Sequence, residues 1–138
     1  MLYYNTISNE LLELLIKLQS VPEFAQLRLV GGTSLALQIG HRNSVDIDLF
    51  GKLDADDIAI HQQLEKLGNY TQLKKTDNIN IFSLNGIKID IVNYPYSWLS
   101  KPIVFDNITL ADKKDIAAMK LAAISGRGSK KDFIDIFF

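Results

Sequence analysis

Cysteine is absent from this chain of 138 residues, which excludes disulfides and thiolate metal centres. Long apolar runs are missing as well. None approaches the roughly 18 residues that a membrane helix needs, so no membrane partner is expected. The opening residues, Met1-Leu2-Tyr3-Tyr4-Asn5, lack the basic segment and the apolar stretch of a signal peptide. Together these features fit a cytoplasmic protein. Charge of one sign is not in excess either. Lys and Arg number 15 against 16 Asp and Glu, and the formal net charge of −1 argues against a nucleic-acid coat protein. Repeats and low-complexity segments do not occur. The remainder, 47% hydrophobic and 22% charged, is the composition of one globular domain over residues 1–138.

The cations are unevenly spread. Lys113, Lys114, Lys120, Arg127, Lys130 and Lys131 crowd the C-terminal part, a local basic surface suited to a triphosphate or an RNA backbone. For Lys113 and Lys114 alone, a solvated helix face is an equal reading.

Periodicity predicts a helix over Ser8–Leu18, with Ser8 as N-cap and Pro22 closing the element. A strand over Gln26–Val30 runs into Gly31-Gly32, and a helix over Thr33–Ile39 stops at Gly40. The next strand, Val45–Phe50, should turn Val45, Ile47 and Leu49 into a core and project Asp46 and Asp48 together on the other side. Asp54 to Asp57 reads as a capped helix start, with Ile58, Ile60, Leu64 and Leu67 inward. Tyr70–Lys75 is a strand. Asn85-Gly86 fits a type I′ turn joining Asn78–Leu84 to Ile87–Val92, which pairs Leu84 with Ile87 and Ile81 with Asp90. Asp90 then lies on the outward face, opposite the isoleucines. Tyr94 to Trp98 is a loop, short strands follow near Ile103–Phe105 and Ile108, and Asp112–Ser125 is a helix. Gly126 to Ser129 breaks it, and another helix begins at Lys131.

Two carboxylates side by side repel unless a cation relieves them, and hard oxygen ligands suit Mg²⁺ or Mn²⁺. A glycine turn that opens a helix offers free N–H groups to a phosphate. Asp46 and Asp48 beside Gly31 and Gly32 therefore suggest phosphoryl or nucleotidyl transfer. An isolated Asp-x-Asp is also compatible with a solvent-facing strand, and the glycines with a sharp turn alone. If the Asp90 strand lies beside Val45–Phe50, three carboxylates converge, as two-metal catalysis requires. Otherwise Asp90 is a surface partner of Lys88. Lys120 interrupts an apolar stripe with Ile116 and Ile124, so its ammonium either meets an anion or snorkels to water. Arg42 and Arg127 suit phosphate oxygens, although Arg42 also reads as a plain loop cation. Asp132 is compatible with a helix-start role and Asp135 with an ion pair to Lys131. His61 reads as a packed or surface histidine. Tyr94, Tyr96 and Trp98 either stack a base or cover a core edge.

Taken together, Gly31-Gly32-Thr33-Ser34-Leu35-Ala36-Leu37, His41 to Phe50, Asp90, Lys120 to Ile124, Arg127 and Lys131 to Ile136 resemble the AbiEii/AbiGii nucleotidyltransferase toxins of abortive infection, within the DNA polymerase β-like nucleotidyltransferase superfamily. The resemblance implies an α+β fold with a small mixed β-sheet flanked by helices. It implies an NTP co-substrate and Mg²⁺ or Mn²⁺. Asp46, Asp48 and Asp90 would ligate metal, with Asp90 as third ligand or base. Gly31, Gly32, Thr33, Ser34, Arg42, Arg127 and Lys131 would bind the nucleotide. Lys120 and Asp132 would join the carboxylates as catalytic groups. Some such toxins act on tRNA ends, and a cognate antitoxin is the usual partner. The family pattern continues into a helical C-terminal region that here is short or trimmed, and the apolar end Ile136-Phe137-Phe138 would favour a homo-oligomer. Two other functions fit the same residues. One is transfer to a small-molecule hydroxyl such as an antibiotic, and the other is a non-catalytic protein-binding module.

Overall fold

The structure is a computed structural model that describes residues 1–125 together with Lys130, Phe133 and Ile134. Among the described residues the α-helices α1 (Asn9–Gln19), α2 (Gly31–Ile39), α3 (Asp57–Leu67) and α4 (Lys113–Ser125) accompany seven strands. The strands are β1 (Leu27–Val30), β2 (Ile47–Gly51), β3 (Tyr70–Lys75), β4 (Ile79–Leu84), β5 (Ile87–Asn93), β6 (Ile103–Phe105) and β7 (Ile108–Leu110). They form one mixed sheet in the order β3-β4-β5-β2-β1-β7-β6. The architecture is the α+β class that the sequence leads one to expect. Among the described residues no helix is long and apolar enough to cross a membrane.

The local chemistry sets the element ends. Ser8 caps α1 by accepting a hydrogen bond from Leu11 N, and Asp56 caps α3 through Ala59 N. Gly40 closes α2 in the left-handed conformation, φ 65°. Asn85 and Gly86 both have positive φ, as a type I′ turn demands, and the Leu84–Ile87 and Ile81–Asp90 pairings follow from it.

Strand alternation divides the sheet into two apolar faces. Leu27, Leu29, Ile47, Leu49, Ile89 and Ile91 pack with Leu11, Leu15 and Leu18 of α1 and with Ile60 and Leu64 of α3. Val30, Phe50, Val92, Ile79 and Ile81 pack on the opposite side with Ile116 and Met119 of α4. Asp48 and Asp90 belong to this second face by strand parity.

Four sequence expectations are corrected. Val45 is 73% exposed, because the β2 ladder begins only at Ile47, where β5 flanks it. Ile58 is 69% exposed: Ile60 and Leu64, four apart, define the buried side of α3, and Ile58 lies well round the helix from them. The glycines do not precede α2 but form its first turn. On α4 the stripe of Ile116, Lys120 and Ile124 is buried only at Ile116, and Lys120 stands exposed rather than interrupting a core.

Candidate active site

The central strands bring Asp48 and Asp90 together. β2 runs parallel to β5, and Asp48 is the Cα partner of Asp90. On the other side Asp48 pairs with Val30, the last residue of β1. The row Val30, Asp48, Asp90, Ile81 thus crosses four strands, with two acids in its middle. Asp90 is not on an outward surface as its parity suggested. It is wholly buried, and Asp48 is only 7% exposed, because α4 and the second apolar cluster cover that face.

Two buried acids this close cannot both ionise cheaply. Burial, above all, pushes the Asp48 carboxyl well above its ordinary value, and a hydrogen bond and charge from Asp90 push it further. Lys88 opposes the shift and the Asp46 charge adds to it. A hydrogen bond between two carboxyl groups needs a proton on one of them. Lys88, two residues from Asp90 on the same strand face, places its Nζ 3.3 Å from Asp90 Oδ2. Asp90 Oδ1 is buried and finds no donor among the described residues. That orphaned oxygen is an acceptor in want of a cation.

The start of α2 borders the pair. Gly31 has φ 73°, and a Cβ there would lie 2.2 Å from Asp48 Oδ2, so only glycine fits on both counts. A Cβ on Gly32 would lie 2.5 Å from Arg42 Nη2. Among the described residues no side chain caps α2, and a helix start of this kind suits an anion.

The hydroxyls of Thr33 and Ser34, expected to bind the nucleotide, are engaged within the protein. Both are buried. The Thr33 hydroxyl donates to the Asp46 carbonyl and lies 2.7 Å from Ser44 Oγ. It fixes the backbone just ahead of β2. Ser34 Oγ accepts from Gln38 Nε2, which also donates to Ala111 O. Thr33 thus holds the Asp46 backbone, and Gln38 ties α2 to Ala111, just ahead of α4.

Asp46 is half-buried, two residues ahead of Asp48. Among the described residues no three acidic or histidine side chains are gathered into a ready metal centre. The expected trio is therefore a close pair, Asp48 with Asp90, and a nearby third charge. Lys120 is exposed on α4. Arg127, Lys131, Asp132 and Asp135 lie outside the described residues. His61 is held by Tyr70, whose hydroxyl is 2.9 Å from Nδ1.

The sequence model of the AbiEii nucleotidyl transferase toxins of type IV toxin–antitoxin systems matches residues 13–138. The chain belongs to that family. An Aquifex aeolicus (strain VF5) protein, aq_aa25, is 41% identical over 114 residues, which is 80% of this chain and 55% of that protein. This AbiEii chain thus spans just over half the length of the curated relative it matches. In fold it is similar to JHP933 from Helicobacter pylori, with a TM-score of 0.57 and 19% identity over 94% of this chain and 65% of that one. It is similar also to ANT(2″)-Ia, solved in complex with adenylyl-2″-tobramycin, with a TM-score of 0.57 and 13% identity over 92% and 86% of the two chains. Identities this low carry the fold alone.

Asp115 was missed in the sequence. It is buried, and its carboxylate accepts from Leu99 N at 2.6 Å and from Ser100 N at 3.0 Å, pinning the loop after β5 to α4. A signal was present: an acid beside Ile116 and four residues before Met119 shares their buried side and must find donors there.

Proposed function

We propose that this AbiEii-family chain is the catalytic part of a Mg²⁺-dependent nucleotidyltransferase. It would transfer a nucleotide from an NTP to an acceptor hydroxyl, with tRNA ends as the acceptor and a cognate antitoxin as its restraint. The observation that carries the reading is the Asp48–Asp90 pair, buried side by side against the uncapped first turn of α2.

The donor set fits a hard divalent ion: two carboxylates, one with an orphaned buried oxygen, and a third, Asp46, half-buried just ahead of β2. Asp46, Asp48 and Asp90 would hold it. When bound, the metal supplies positive charge to the phosphate oxygens. The first N–H groups of α2 and the Arg42 guanidinium orient the triphosphate. Gly31 lets that backbone approach the acids. Asp90 completes the site as third ligand or as base for the acceptor hydroxyl. Lys120 and Arg127 would neutralise charge as pyrophosphate leaves; such help raises the rate only where it strengthens in the transition state. The close approach of the α2 start to Asp48 supports this arrangement.

Each α-labelled NTP, offered with Mg²⁺ to pooled tRNA and in parallel to a panel of aminoglycosides, tests the acceptor. Label in tRNA alone is expected. Label in an aminoglycoside would replace the acceptor, and binding of the antitoxin partner without transfer to any acceptor would favour the non-catalytic module.

A further inference from the structure

At the far end of the same sheet face lies a second feature that the carboxylate site does not use. A cavity of about 640 Å³ opens there, lined in part by Arg28, Lys52, Tyr94, Tyr96 and Trp98. Its volume is in the range of small-molecule sites, roughly 300–1,000 Å³. Arg28 pairs with Phe50, two residues beyond Asp48, and Lys52 follows two further on. At a strand rise of about 3.3 Å per residue, Arg28 stands about 7 Å and Lys52 about 13 Å along the strands from Asp48, and neither Asp48 nor Asp90 lines the cavity.

Its walls are built rather than loose. Asp115 holds the backbone of Leu99 and Ser100. The Arg28 guanidinium stacks 4.6 Å from the Trp98 ring centre and donates to Ser100 O at 2.9 Å. Tyr94 meets Tyr96 and Trp98 at centroid distances of 5.2 and 5.3 Å. Lys130 Nζ lies 5.5 Å from the Tyr96 ring centre. Tyr96 and Trp98 are half-buried, and Lys52 is exposed at the rim. Aromatic walls with cations at their edge match a ligand that has a flat π-face and an anionic group. A nucleotide unit has both.

We infer that this cavity binds one nucleotide unit, its base stacked on the Tyr96–Trp98 wall and its phosphate met by Lys52 and Arg28, without need of a metal. The unit comes either from a free mononucleotide or from a single-stranded nucleic acid.

Trp98 is the one tryptophan of the chain, so its emission reports on this wall. The test titrates the full chain, in EDTA, with 5′-AMP, 5′-CMP and a short single-stranded RNA. Saturable quenching is expected. Lys52→Glu, a rim change that does not touch the core, should weaken it about tenfold, and Asp48→Asn should leave it unchanged. Saturation by mononucleotides assigns a free ligand, and saturation by RNA alone assigns a strand; both support the site. No saturable change with any probe, equal affinity in Lys52→Glu, or loss of binding in Asp48→Asn would overturn it. EDTA strips the carboxylate site of metal and Asp48→Asn removes one of its ligands, and transfer is not read in this assay, so failure here leaves the transfer reading standing.

Discussion

Asp48 and Asp90 are Cα partners on adjacent parallel strands, and both side chains are buried. Their mutual repulsion is the electrostatic fact around which the site is arranged. A proton shared between them, or a cation, relieves it.

The first prediction concerns pH. The folded chain holds a proton on Asp48 well above the ordinary value of 3.8, where the unfolded chain has released it. The folded state therefore binds more protons, and stability falls as pH rises. The contribution is whole below about pH 4 and is lost as pH climbs through the raised value. Urea denaturation in chelator from pH 4.5 to 8 should show this decline, and Asp48→Asn should flatten it. Equal slopes for the two proteins would contradict the shared-proton picture.

The second concerns the cation. Binding of Mg²⁺ or Mn²⁺ must displace the proton between the two acids. Calorimetry in two buffers of different ionisation enthalpy should find close to one proton released per ion bound. Asp90→Asn should lose most of the affinity. A buffer-independent heat would show that the ion binds elsewhere.

A third prediction separates the glycines from a mere turn. Gly31→Ala places a Cβ 2.2 Å from Asp48 Oδ2 at φ 73°. The left-handed conformation alone costs an alanine about 1–2 kcal/mol, and the contact adds to it. The denaturation midpoint should fall, and transfer should be lost with it. A stable, active Gly31→Ala protein would refute the close approach.

How much of this could be read in the sequence depends on how local its cause is. The β4–β5 hairpin and its register were legible because Asn85-Gly86 dictates the turn chemistry on its own. The pairing of β2 with β5 was legible only as a condition, since nothing in the chain order says which strands become neighbours. The burial of Asp90 was not legible at all: alternation assigns a face, but the packing of α4 decides whether that face sees water. Val45 failed for the same kind of reason, a strand pattern running past the point where neighbours exist to pair with it. The bond from the Thr33 hydroxyl to the Asp46 carbonyl, a partner 13 residues away, was not legible either, because nothing local to the glycine turn names that partner.

That last point gives a fourth prediction. Thr33→Val keeps the shape of the side chain but leaves the Asp46 carbonyl and Ser44 without their partner. A loss of about 1–3 kcal/mol in stability is expected, together with slower transfer, while Thr33→Ser should recover most of both. A fully active valine variant would show that the hydroxyl does not place Asp46.

The decisive measurement is transfer of an α-labelled nucleotide to small RNA in the presence of Mg²⁺, comparing the native chain with Asp48→Ala of verified fold. The prediction is labelled RNA for the native protein and none above background for the variant. Undiminished labelling by Asp48→Ala, or no labelled product from the native chain with any NTP or acceptor, would contradict it.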